Sequence, residues 1–183
     1  MKYTPPTVGE NTTPRFIWPY LLNHQNIPKP LHGMNPRTLL GKEWWDEQRK
    51  VAYKTNNYCC WSCGANNVKL EAHECYEIDY KKGIMELRLI AALCSDCHSF
   101  IHDGRLRNLV ASGEIAKEEY LRIVERGEKL LLKTNKIPKE LGFIFKTLFS
   151  LQDLKNKKYN IAKWKDWRLI IDEKEYSPLF DSY

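Results

Sequence analysis

The sequence predicts an α+β fold: two strands and a helix (ββα) clamped by cysteines, set between helical flanks and closed by a small C-terminal hairpin. Three observations predict it. Two Cys-x-x-Cys pairs, Cys60-Trp61-Ser62-Cys63 and Cys94-Ser95-Asp96-Cys97, leave 30 residues between Cys63 and Cys94. Inside that interval Val68 to Tyr76 and Ile84 to Leu93 read as strands around the turn Lys81-Lys82-Gly83. Beyond it, Ala116 to Lys133 repeats Tyr120, Ile123, Val124, Leu130 and Leu131 at helical spacing, with charges on the other face. The 183 residues thus divide into an N-terminal arm and helix (1–55), a cysteine/histidine module (56–110), and a helical extension with the C-terminal hairpin (111–183).

Taken in order, residues 1–35 are loop-rich, because Pro5, Pro6, Pro14, Pro19, Pro28 and Pro30 interrupt any regular period. Phe16, Trp18 and Tyr20 are expected to pin this arm to the core. Asn35-Pro36 reads as a helix start, with the asparagine as cap and the proline at the first helical position. The helix runs through Trp44, Trp45, Val51 and Ala52 and ends at Asn56-Asn57, with the tryptophans expected to close it onto the cysteine knuckle. Cys94 to His102 suits a short helix, and 105–112 another. Pro138 stops the long helix, and 140–154 is apolar enough for one more. Trp167 to Ile171 and Glu175-Tyr176 flank Asp172-Glu173-Lys174 as a hairpin.

Composition narrows the chemistry. Hydrophobic residues at 43% and charged residues at 28% exclude a wholly disordered chain. No apolar run is long enough to span a bilayer, and Met1-Lys2-Tyr3-Thr4-Pro5-Pro6 lacks a secretory apolar stretch, so a cytosolic location with no membrane partner is expected. In a reducing compartment paired cysteines are metal ligands or redox groups more often than disulfides. The net charge of +6 is uneven: 8 Lys/Arg against 4 Asp/Glu in 1–55, 6 against 7 in 56–110, and 15 against 12 in 111–183. Acidic residues around a cation and basic residues around phosphates produce that distribution, and so do solvated helix faces.

Each Cys-x-x-Cys suits a tight turn that aims both thiolates at one ion, and two such turns complete a tetrahedral four-sulfur site for structural Zn²⁺. Cys60, Cys63, Cys94 and Cys97 are its expected ligands, and Gly64 lets the backbone fold around the sulfurs. A redox dithiol needs only one pair, usually in a βαβ context that is absent here. Cys59 competes with Cys60 but breaks the spacing, and Cys75 reads as a small buried hydrophobe.

Three of the five histidines fall in the same module. His98 and His102 are four apart on the expected helix, which stacks both imidazoles on one face. His73 lies on the first strand, which the cysteine pairing brings beside that helix. The three can converge on a second cation with positions left open for phosphate and water.

Leu70-Glu71-Ala72-His73-Glu74, followed by Leu93-Cys94-Ser95-Asp96-Cys97-His98-Ser99-Phe100-Ile101-His102, resembles the HNH nucleases of the ββα-metal (His-Me finger) class. The likeness is to the branch with four zinc cysteines, frequent in bacteria and their phages, and covers about residues 58–105. It implies a zinc-stapled ββα-metal core holding one divalent cation (Mg²⁺, Mn²⁺, Ni²⁺ or Zn²⁺) and a metal-dependent endonuclease acting on DNA in a bacterial or phage-infected cytoplasm. It further implies His73, His98 and His102 as ligands of that cation. The residue after His73, normally a histidine base, is here Glu74, and Arg88 and Leu89 occupy the neighbourhood of the asparagine that orients such a base. Three readings stand. Glu74 is the base; or His73 is the base and Glu74 a ligand; or the site binds metal and nucleic acid but cleaves poorly. Glu71, Glu77 and Asp79 are further carboxylates with which such a site could be completed, or ordinary surface residues.

Nucleic-acid contacts are expected from Arg105 and Arg107, which follow the metal helix beside Gly104, and from Lys163, Lys165 and Arg168. The last three belong to a stretch, from Lys155 to Arg168, that interleaves cations with aromatics. The same stretch also suits a hairpin with Trp164 and Trp167 inside and lysines outside. Against the endonuclease stand a zinc module that only binds nucleic acid, and a regulatory protein keeping a degenerate nuclease scaffold within a phage or defence-system assembly.

Overall fold

The computed structural model describes residues 13–133 and 162–181. Among these it is a mixed α+β fold: four α-helices and a small four-stranded sheet. Helix α1 spans Pro36–Thr55, β1 Leu70–Asp79, β2 Ile84–Cys94, α2 Ser95–Ile101, α3 Asp103–Ala111, α4 Lys117–Leu132, β3 Arg168–Ile171 and β4 Lys174–Tyr176. No helix among the described residues is long and apolar enough to cross a membrane. The apolar run 140–154 and the basic run 155–159 lie outside the described residues.

Local chemistry sets the element boundaries. The Asn35 carboxamide caps α1 by accepting the Thr38 N–H at 2.9 Å. At the far end Asn57 and Tyr58 turn to φ 52° and 56°, a left-handed exit that asparagine tolerates better than most residues. Within α1 the helical path breaks at Gly41 (φ 89°), a kink that the apolar spacing gave no sign of.

β1 and β2 are neighbours joined by four residues, too few for a parallel crossover, so they form a hairpin. Asp79 shapes its turn, accepting the N–H groups of Lys81 and Lys82 at 3.0 Å each. The turn closes at Gly83 (φ 73°), where a Cβ would come within 2.7 Å of Ala162 Cβ. The sheet order is β1-β2-β3-β4. β3 runs parallel to β2, with Ile84 opposite Arg168 and Met85 opposite Leu169, and β4 returns antiparallel to β3. Asp172 and Glu173 both take positive φ between them, as a two-residue type I′ turn requires. The expected C-terminal hairpin therefore forms, and it extends the module's own sheet.

The chain divides into two compact units that interleave in sequence. One draws on Met1–Asn23, Arg49–His73 and Ile90–Lys136, the other on His24–Gln48, Glu74–Leu89 and Ile137–Tyr183, each through its described residues. In the first, the N-terminal arm is fastened as the aromatic pattern suggested. Phe16 stacks on Trp18 at 4.1 Å, and both meet the Trp61 ring edge-on. Buried Asn56 ties the same arm through its carboxamide, accepting from the backbone of Arg15 (2.7 Å) and Phe16 (3.1 Å) and donating to the Phe16 carbonyl. In the second, Leu31, Met34, Ile78, Met85, Trp167, Leu169 and Ile171 form the apolar core. Each such side chain contributes about 1.5–3 kcal/mol when fully buried. Trp44 packs against this core. Trp44 is thus a packing residue, while Trp61, held by an indole N–H bond to the Ala52 carbonyl at 3.0 Å, joins α1 to the knuckle.

Candidate metal centres

The first knuckle is built by backbone bonds across Cys60–Ala65. The Cys60 N–H donates to the Ala65 carbonyl and the Gly64 N–H to the Cys60 carbonyl, both at 2.8 Å. Gly64 has φ 74°, and a Cβ there would sit 2.7 Å from Ile17 Cδ1, so both the turn and the packing of the arm call for glycine. The second pair straddles the end of β2 and the first turn of α2. The four ligand sulfurs all lie within 4.8 Å of one another. Cys63 Sγ and Cys94 Sγ are 3.8 Å apart. A tetrahedron with Zn–S bonds of about 2.3 Å has an edge of about 3.8 Å, so the residues fit a zinc ion. Cys59, also fully buried, lies outside the quartet, which settles the competition in favour of Cys60.

Protonation of the quartet points the same way. Hydrogen bonds from Cys60, and then Cys94 and Cys97, pull the Cys63 thiol well below the usual range, aided by the Ala65 N–H. Cys94 is held at about 6, first by Cys60, with the Cys97 N–H contributing. Cys60 and Cys97 are pushed up, because four thiols packed together cannot all ionise unless a cation offsets their charge. A divalent ion removes that competition.

The second cluster is His73, His98 and His102, whose ligand nitrogens lie within 4.8 Å of one another. The rings meet edge-on, with centroids 5.4 Å apart for His73 and His98, 5.0 Å for His73 and His102, and 4.6 Å for His98 and His102. His98 sits in α2 and His102 caps it, one turn on, joined by the His102 N–H to the His98 carbonyl at 3.1 Å. His73 comes from β1 and is 2% exposed; His98 is half-buried and His102 exposed. The cluster therefore runs from core to solvent.

Glu71 supports this cluster in a way its sequence position did not reveal. Its Oε2 lies 2.8 Å from His98 Nδ1, and its Oε1 accepts the Ser95 hydroxyl at 3.0 Å. Glu71 and His73 are two apart on β1 and so share a face. A carboxylate on Nδ1 fixes the proton there and leaves Nε2 as the lone-pair donor. Glu77 is committed elsewhere, to Arg88 at 2.6 Å, and Asp79 to its turn.

Glu74 follows His73 directly, so its side chain leaves the strand on the opposite face. Its carboxyl is not among the groups gathered with the imidazoles. Burial raises it above the usual carboxylate range. His24 hydrogen-bonds the Glu74 backbone, and burial lowers that imidazole.

Of the basic residues, Arg105 is exposed on α3. Arg107, also exposed, is paired with Asp103, which in turn accepts the Tyr120 hydroxyl at 3.2 Å. Lys163 and Lys165 are exposed around the short 3-10 turn Trp164–Asp166. Arg168 is half-buried, and its guanidinium donates to the Lys165 and Trp167 carbonyls at 2.7 and 2.6 Å. Sequence reasoning missed α4 altogether as part of the site. Arg126 reaches Cys63 Sγ at 3.3 Å and Cys97 Sγ at 3.7 Å, and Arg122 forks onto Asp96 at 2.9 and 2.8 Å. That fork holds the Asp96 carboxyl below its usual range. The i, i+4 spacing of the two arginines is the only trace this leaves in the sequence. No protein-family model, curated protein or solved structure matches this chain.

Proposed function

We propose that this chain is a metal-dependent endonuclease of the HNH, ββα-metal type, hydrolysing phosphodiester bonds in DNA. The observation that carries this reading is the convergence of His73, His98 and His102 from a strand and the following helix, graded from buried to exposed. A closed structural site has no use for a solvent-facing ligand, whereas a catalytic site keeps one side open. Those three imidazoles would hold Mg²⁺, Mn²⁺, Ni²⁺ or Zn²⁺. The cation supplies Lewis-acid stabilisation of the charge that develops on a phosphodiester in hydrolysis.

The protein's own groups divide the remaining work. Glu71 orients His98 through Nδ1. A metal on the four cysteines would join the Cys60–Cys63 knuckle, just before β1, to the end of β2 and the start of α2, from which His98 and His102 follow. Glu74 is the candidate proton acceptor, since a carboxyl raised by burial is a stronger base near neutral pH than an ordinary glutamate. Arg105, exposed on α3 three residues after His102, is the candidate contact to backbone phosphate, and Arg107, Lys163, Lys165 and Arg168 add positive charge for a polyanion.

One observation favours a second reading. Glu74 leaves β1 on the face opposite His73 and is not gathered with the imidazoles. A protein without a base in reach binds nucleic acid and metal but cuts slowly, and serves as an assembly or regulatory component in a phage or defence system.

The test is supercoiled plasmid incubated with the purified protein and Mg²⁺, Mn²⁺ or Ni²⁺, beside His98→Ala and Glu74→Gln. Metal-dependent nicking that both variants lose supports the endonuclease with Glu74 as base. Binding without nicking in the unaltered protein, under every metal, supports the second reading and overturns the first.

A further inference from the structure

We infer that Arg126 is a positioning residue for the four-sulfur centre, bridging its two knuckles from α4 and setting how tightly the metal is held. The inference rests on the zinc site and not on the hydrolytic reading. Its basis is a single guanidinium that touches one sulfur from each Cys-x-x-Cys: Nη2 to Cys63 Sγ at 3.3 Å, and Nη1 to Cys97 Sγ at 3.7 Å.

Four thiolates around one Zn²⁺ leave a net charge of about −2 in a partly desolvated site. A guanidinium is planar, always charged and carries several donors in a fixed fork, so it can offset that charge and address two sulfurs at once. Lysine, a point charge on a flexible stem, cannot do both. Hydrogen bonds to thiolate sulfur withdraw electron density from it, which weakens sulfur as a nucleophile toward outside reagents and fixes its direction toward the metal.

The reach of Arg126 is built in. Next to it, Gly127 has no side chain, and a Cβ there would lie 2.2 Å from Phe100 Cδ2. The α4 backbone therefore lies directly on the Phe100 ring of α2, which places Arg126 over the sulfurs. One turn earlier, Arg122 forks onto Asp96, between the two cysteines of the second knuckle, and locks the register of α4 against α2. Arg126 also approaches Asp96, at 3.5 Å, so the ion pair and the sulfur contacts must be separated experimentally.

The experiment loads the full chain with Co²⁺ in place of zinc and compares Arg126→Gln, Arg126→Lys and Arg122→Gln. The sulfur-to-cobalt charge-transfer band reads the electron density on the thiolates. Zinc release to a chromogenic chelator reads how firmly they hold, with far-UV circular dichroism as the fold control. Arg126→Gln should move the band to lower energy and release zinc on the order of 10-fold faster. Arg126→Lys should fall between that variant and the unaltered chain. Arg122→Gln, which loses the Asp96 fork but keeps the sulfur contacts, should leave the band in place. An unchanged band and release rate in Arg126→Gln would overturn the inference, as would an equal band shift in Arg122→Gln. So would a parent chain that binds no cobalt with a four-sulfur spectrum. The plasmid assay can fail without touching this result.

Discussion

Glu71 Oε2 stands 2.8 Å from His98 Nδ1, which makes a strand carboxylate the partner of a helix imidazole in the histidine cluster. The contact chooses the tautomer. With the proton held on Nδ1, the His98 Nε2 lone pair is available to a cation without a further rearrangement. Outer partners of this kind are worth roughly 10–100-fold in metal affinity. Glu71→Ala should therefore weaken Mn²⁺ or Ni²⁺ binding by about that factor in titration calorimetry. Glu71→Gln, which still offers an acceptor oxygen to Nδ1–H, should recover most of it. Equal affinity in Glu71→Ala and the unaltered protein would mean the contact does not tune the site.

The four-cysteine cluster makes a different prediction, because a metal held there would do structural work. Cys60, Cys94 and Cys97 are buried, and a metal bound by the quartet would cross-link a unit too small for a large core of its own. Elemental analysis should find one tightly held zinc, lost in Cys60→Ser and Cys97→Ser. Both variants, and chelator-treated parent, should melt at lower temperature with a broadened transition. Cys59→Ser should keep its zinc, since Cys59 stands outside the quartet.

Both clusters were disclosed by the sequence, whereas the residues that support them were not. Cys-x-x-Cys and the His98/His102 spacing are local patterns that work whatever the surrounding fold, so the residues that cluster could be named from residue order alone. The β1–β2 turn and the Asn35 cap were legible for the same reason. The role of Glu71 depends on β1 lying against α2, and that of Arg126 on α4 crossing both knuckles, and neither is written in local spacing. The parallel pairing of β3 with β2 was hidden too, since it joins residues more than 80 positions apart, such as Ile84 and Arg168. The break at Gly41 was masked by apolar residues on both sides of it.

His24 gives the protein a defined response to acid. Burial lowers this imidazole below its usual 6.5, while its bonds to the backbone of Glu74 and Gln25 oppose the shift. The folded state therefore prefers the neutral ring. Its contribution to stability is complete above about pH 6.5 and is lost as pH falls below that through the folded value. Urea unfolding at pH 7.5 and pH 5 should show a larger loss for the parent than for His24→Gln. Paired carboxylates weaken in acid equally in both proteins, so the difference isolates His24. Parallel losses would remove it from the account.

Arg105 and Arg107 should separate in DNA binding. Arg107 is already engaged with Asp103, whereas Arg105 is exposed on the same helix, two residues earlier. Neutralising one phosphate contact lowers the salt slope of log K by about 0.9. Arg105→Ala should reduce the slope by about that amount, and Arg107→Ala by less, in fluorescence anisotropy across a salt series. The opposite order would show that the Asp103 pair opens on binding.

Gly127 tests the seat of α4 on α2 directly. In an ordinary helix interior Gly→Ala stabilises by about 1 kcal/mol, because alanine loses less backbone freedom on folding. Here the new Cβ would lie 2.2 Å from one carbon of the Phe100 ring and 2.4 Å from the next, far inside contact distance. Overpacking of this kind costs about 1–3 kcal/mol, and with a ring rather than a flexible chain end in the way it should win. Gly127→Ala is expected to lower stability, measured by chemical denaturation, and to speed zinc release by lifting Arg126 from the sulfurs. Phe100→Leu should restore part of the loss in the double variant, since the two positions share one space and their effects cannot add. A Gly127→Ala protein as stable as the parent would show that the ring turns aside freely, and that α4 is held by its arginines alone.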